Sequence, residues 1–128
     1  MPVQIKWVDP EETIIYMDVE GSWSLDEYLS AIQEAIALTK GKTYIVHMIA
    51  DMTNSRNFPT QVISAAKGYE TRFPTNQGLF VFVRMPLYLR TMVQIAIKMY
   101  IKAASNLHFA DTLDEAHRLI AQYDYEYK

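Results

Sequence analysis

The 128-residue chain contains no cysteine, which removes a disulfide framework, a thiolate zinc site and a catalytic thiol together. Its four glycines, Gly21, Gly41, Gly68 and Gly78, are dispersed. Neither GxGxxG nor GxxxxGK can be written, so the common phosphate-cradling loops are excluded. No serine lies in a GxSxG nucleophile elbow. An excess of positive charge is missing too: 12 Lys and Arg against 15 Asp and Glu leave a net −3. Nucleic-acid binding of the general kind depends on clustered cations and is not expected. Met1 to Val8 has no apolar run of signal-peptide length, and a cytoplasmic location is expected. What is present is apolar: 50% of residues are hydrophobic and 12% aromatic. That is too much for a disordered chain. It is enough for one domain, residues 1–128, to bury about two thirds of its unfolded surface.

The pattern along the chain predicts nine elements. Val3, Ile5 and Trp7 alternate with polar residues as in a half-buried strand. Asp9-Pro10-Glu11-Glu12 then supplies turn chemistry, and Thr13 to Val19 forms the second arm of a hairpin. Both faces of that arm carry apolar side chains, which places it inside the sheet. Ser24 and Glu27 form a capping box, with Trp23 and Tyr28 as the hydrophobic staple around it. Leu25, Leu29, Ile32 and Ile36 mark the buried stripe of the helix, and Gly41 ends it. Thr43 to Ala50 and Gly78 to Val83 are continuous apolar runs suited to parallel strands covered on both faces. Between them, Pro59 opens a second helix with Val62, Ala66, Tyr69 and Phe73 inward, and Pro74 closes it. Pro86 opens the longest helix, which runs to about Ala104. Leu107 to Ala110 is a short strand, and Thr112 with Glu115 repeats the capping box ahead of the last helix. The order ββαβαβαβα predicts an α/β fold: a mostly parallel five-stranded sheet begun by a hairpin, with four helices. Residues 120–128, with the alternation Tyr123-Asp124-Tyr125-Glu126-Tyr127, read as a loosely packed tail, an added edge strand or a segment packed across a subunit boundary.

That order resembles the STAS superfamily, the sulphate-transporter and anti-sigma-factor-antagonist domains, and in particular their bacterial STAS-like or CRAL-TRIO-like relatives. The resemblance runs from Ile5 to Ile120. It rests on the strand ending in Asp51-Met52-Thr53, on GLFVFV followed by the long helix after Pro86, and on the closing FADTLDEAHRLI. In the best-known members a strand-end aspartate precedes a loop, and an Asp-Ser pair then starts the next helix. Its serine is a phosphorylation switch. Here Asp51 matches the aspartate, but the helix start reads Asn57-Phe58-Pro59-Thr60. The resemblance therefore implies Thr60 first, and Ser55 second, as positional candidates for the switch.

Chemistry-bearing clusters are few. His47, His108 and His117 share no local motif, so no catalytic or metal set is assigned and no cofactor is expected. Asp26, Glu27, Asp114 and Glu115 are accounted for by helix starts. Asp18, Glu20 and Asp51 form a candidate ligand edge if their strands are neighbours, because open α/β sheets bind ligands at their carboxyl ends.

The long helix is the unusual segment. Arg90, Thr91, Gln94, Lys98 and Lys102 occupy one narrow stripe. The remaining arc is apolar over about twice the 100° that a sheet-covering helix needs. Polar groups recurring every turn exclude a membrane span. The excess calls for a neighbouring helix, a subunit interface or a pocket. Tyr88, Met92, Ile95 and Met99 are the candidate interface residues. These observations favour a non-enzymatic regulatory or protein-interaction domain that pairs with itself or another protein. The alternative is a carrier or sensor of a small lipophilic ligand held between this helix and the loop from Asp51 to Pro59.

Overall fold

The computed structural model describes residues 2–57, 74–100 and 107–126, without the side chains of Val93 and of 96–100. In chain order the elements are β1 (Val3–Trp7), β2 (Ile14–Val19), α1 (Leu25–Lys40), β3 (Val46–Asp51), β4 (Gln77–Val83), α2 (Leu87–Tyr100), β5 (Leu107–Ala110) and α3 (Leu113–Glu126). The helix expected over residues 59–73 lies outside the described residues. The fold is α/β, with three helices among the described residues and one mixed sheet of five strands.

Spatial order equals chain order, β1-β2-β3-β4-β5. β1 and β2 are antiparallel, and each later pair is parallel. The hairpin turn is held by Asp9, whose carboxylate accepts the amides of Thr13 and Ile14 at 3.0 and 3.2 Å. Because every parallel step advances in the same direction, right-handed crossovers return along one face of the sheet. α1 and the start of α2 do share that face. Tyr28, Ala31, Ile32, Ala35, Ile36 and Leu89 pack there against Ile15, Met17, Met48, Ala50, Phe80 and Phe82. α3 turns back over the opposite face, where Ala116 and Ile120 meet Ile49, Leu79, Val81, Val83 and Ala110.

α1 has the expected capping box. Ser24 Oγ accepts the Glu27 amide at 3.2 Å, and Glu27 accepts the Ser24 amide at 3.1 Å. The staple rings of Trp23 and Tyr28 lie 5.3 Å apart. Its buried stripe is rotated from the expected one, running through Tyr28, Ala31, Ile32, Ala35, Ile36 and Thr39. Two alanines let the helix approach the sheet closely, and the Thr39 hydroxyl is satisfied by donating to the Ala35 carbonyl at 2.9 Å. Leu25 and Leu29 are left half-buried. Gly41 caps the helix in right-handed geometry, φ −73°, so no left-handed turn requires glycine there.

The second capping box is altered. Glu115 donates its amide to Thr112 Oγ1, but its carboxylate accepts from Asp111 rather than from Thr112. α3 continues through the segment that reads as a tail, to Glu126.

Candidate functional site

Two places gather the residues that the sequence singles out: the carboxyl edge of β2 and β3, and the outer face of α2. At the edge, parallel pairing sets Asp18 beside Asp51 in register. Both side chains project on the α3 side of the sheet, two residues beyond Tyr16 and Ile49 on their strands. Tyr16 donates its hydroxyl to Asp51 at 2.5 Å. The other Asp51 oxygen accepts the amide of Thr53 at 2.9 Å and its hydroxyl at 2.5 Å. Burial pushes the Asp51 carboxyl up, yet these hydrogen bonds and the nearby Arg84 charge outweigh it and hold the group below its ordinary value. Asp18 goes the other way. Burial, the charge of Glu20, a hydrogen bond with Glu20 and the charge of Asp51 raise it, with Lys6 opposing. Tyr16 is raised by burial first, then by its bond to Asp51 and the surrounding carboxylates, so its phenol stays protonated. The edge thus joins Asp18, Glu20 and Asp51 electrostatically. Tyr16 is the member that the residue pattern did not reveal, since a tyrosine in an alternating strand carries no distinguishing signal.

The loop after β3 is fastened to the loop after β2. Gly21 donates to the Asn54 carbonyl at 2.8 Å and accepts from the Arg56 amide at 2.9 Å. Asn57 grips the Trp23 backbone from both sides, accepting its amide at 2.9 Å and donating to its carbonyl at 3.0 Å. Ser55 Oγ accepts the Trp23 indole N–H at 2.8 Å and donates to the Asn57 carbonyl at 2.7 Å. Ser55 is therefore a structural member of this zipper. Thr60 lies outside the described residues.

An open cleft of about 580 Å³ lies beyond β3, β4 and β5. Arg84, Arg90, Asp111, Thr53 and Thr112 line most of it, and Met85 and Leu87 supply its apolar part. Arg90 is committed to the walls, donating to Asp111 at 2.6 Å and to the carbonyls of Met85 and Ala110 at 3.1 and 3.3 Å. A crevice at a carboxyl edge opens where strand order reverses and neighbouring loops part to opposite faces. The unbroken order β2 to β5 contains no such reversal.

On α2, Leu89 points into the core while its neighbours do not. Leu87 is 77% exposed, Tyr88 67%, Ile95 54% and Met92 41%. The side chain of Met99 lies outside the described set. Four large side chains at these exposures amount to several hundred Å² of apolar surface, on the order of the largest patch on a typical monomer. The described part of α2 has no carboxylate, and its Arg90 is paired with Asp111.

His47, read from sequence as a strand residue without a motif, occupies a socket. It is 1% exposed. Between Val46 and Met48 the pairing advances by two residues on β3 but from Gln77 to Phe80 on β4. The extra residue is a bulge, and His47 Nδ1 accepts the Leu79 amide there at 2.9 Å. Nδ1 thus carries no proton, and Nε2–H donates to Asp124 of α3 at 2.8 Å. Both ring nitrogens are committed, leaving neither to act as a general base. His108 is half-buried and His117 exposed. Among the described residues, no group of three potential metal ligands comes together, and no helix is long and apolar enough to cross a membrane. Compared with models of known protein families the chain finds no match, and it finds none among curated proteins.

Proposed function

We propose that the protein is a non-enzymatic, cytoplasmic interaction domain of STAS-like type that self-associates through the outer face of α2. The observation that carries the reading is the exposure of Leu87, Tyr88, Met92 and Ile95 on one helix. The absence of acid on α2 permits a second copy as the partner. α1 carries Asp26, Glu27 and Glu34, and α3 carries Asp114, Glu115, Asp124 and Glu126, whereas the sequence of α2 holds no acid. On a chain of net charge −3, this is a face where two copies meet without opposing carboxylates. A two-fold axis lets one surface serve both partners. Crossing near Met92, antiparallel helices would set Tyr88 toward Ile95 of the other copy. The cleft beside the loop after Asp51 is open and mostly polar, which favours interaction over carriage of a lipophilic ligand.

Sedimentation tests this reading. Wild type is expected to sediment as a dimer. Ile95→Glu, which strands a carboxylate in the apolar contact at a cost of about 3 kcal/mol or more, is expected to sediment as a folded monomer. A wild-type monomer at high concentration overturns it. Regulation by phosphate at Thr60, or second at Ser55, belongs to the same reading. A phosphate at Ser55 removes the proton it donates to Asn57, so modification there would loosen the zipper beneath Trp23. Phosphopeptide mapping of protein from its own cells tests both positions; absence of label at either removes that part.

A further inference from the structure

We propose that the end of α3, residues 121–126, is a strap that docks on His47 and opens independently of the rest of the fold. The two halves of α3 are held differently. Ala116 and Ile120 are buried in the core, while Ala121, Gln122, Asp124, Tyr125 and Glu126 are exposed. The ties of the second half to the sheet converge on Tyr123 and Asp124, and both touch His47. The Tyr123 ring meets the imidazole edge-on at 5.2 Å and 84°, and Asp124 accepts from Nε2 at 2.8 Å.

As a helix, this end is intrinsically weak. Its last turn has no basic residue, and Asp124 and Glu126 place negative charge at the negative end of the helix dipole. Gln122 to Glu126 is one exposed pair at 3.2 Å, worth only a few tenths of a kcal/mol. The socket, by contrast, is built by residues outside the strap. The Leu79 amide fixes the tautomer and aims Nε2–H away from the bulge, and Gly78 leaves the ring its room. A preformed donor facing a marginal helix end is a bistable arrangement. Opening uncovers His47 and the flanks of Ile14 and Tyr16, which pack in the same cluster as Tyr123.

Amide hydrogen exchange on the intact chain, read residue by residue, tests the strap. Amides of 121–126 are expected to exchange about tenfold or more faster than those of 116–120. Asp124→Ala should raise exchange in 121–126 by a further about tenfold and expose the His47 Nε2 proton, with 116–120 and β4 unchanged. Asp124→Asn retains an acceptor oxygen and should restore most of the protection, whereas Tyr125→Ala, at an exposed position, should leave it unaltered. Uniform protection along α3, or an Asp124→Ala effect spread equally over 116–120 and β4, overturns the proposal.

Discussion

A methyl group on Gly78 would lie 2.3 Å from Nδ1 of His47. The two residues are therefore one device. The bulge at Gly78 and Leu79 strips a backbone amide of its ladder acceptor, and the imidazole replaces that acceptor at van der Waals range of the chain. Glycine is needed there for close approach, since its φ is not in the left-handed region.

Gly78→Ala is expected to destabilise the protein by about 3 kcal/mol, the upper end of overpacking costs. His47 cannot step aside, because both its nitrogens are bonded and Ile45 Cγ2 lies 2.8 Å from the new methyl. Urea unfolding checks this. A loss below about 1 kcal/mol would mean that the bulge relaxes freely.

Gly41→Ala should behave oppositely. Its φ of −73° and ψ of −6° suit alanine, and the nearest atom to a new methyl, the Leu38 carbonyl, is 3.4 Å away. Reduced freedom of the unfolded chain should stabilise by about 0.4–1 kcal/mol. The same urea titration detects it as a higher midpoint at unchanged slope.

Ser24→Ala removes the acceptor for the Glu27 amide and half of the capping box. A loss of about 1 kcal/mol is expected. Thermal melts of Ser24→Ala and Ser24→Asp separate capping from packing, since aspartate should recover most of the loss.

Asp18 and Asp51 should contribute to pH dependence with opposite signs. Asp51 is lowered in the fold, so its stabilisation is present above the unfolded carboxylate value of about 3.9 and is lost as pH falls through the folded value. Asp18 is raised, so its contribution is present below about 3.9 and lost as pH rises through its folded value. Asp18→Asn is therefore expected to stabilise at pH 7, by less than about 1 kcal/mol, and to match wild type near pH 3. Asp51→Asn should destabilise at pH 7 and flatten the acid limb. Unfolding free energies from pH 3 to 7 check both signs.

Local chemistry made much of this architecture readable in one dimension. The Asp9 turn, the Ser24–Glu27 box, the Trp23–Tyr28 staple and the alternation of Ile15, Met17 and Val19 depend on neighbours within a few residues. Of the apolar run Thr43 to Ala50, Val46 to Ala50 is uniformly buried because α1 covers one face of the sheet and α3 the other, whereas Thr43, Tyr44 and Ile45 precede the strand and are exposed. The apolar excess of α2 was likewise visible in its spacing, and Tyr88, Met92 and Ile95 are its exposed side.

Other features depend on register and packing between distant segments. That Asp18 neighbours Asp51, that Tyr16 reaches the same carboxylate, and that Ser55 supports an indole follow only once β2 and β3 pair. The rotation of the α1 stripe toward Ala31 and Ala35 reflects how closely the helix approaches the sheet, which a helical wheel does not contain. His47 is the sharpest case. From sequence it is one polar residue in an apolar strand, and its role arises from a bulge more than thirty residues away and a helix end 77 residues away. Periodicity shows which side of an element is apolar, because that is a sum over local positions, whereas the depth at which each residue sits is set by packing. The partners of individual polar atoms were decided by tertiary structure, because a hydrogen bond requires two particular groups within about 3 Å, and no spacing along the chain encodes that meeting.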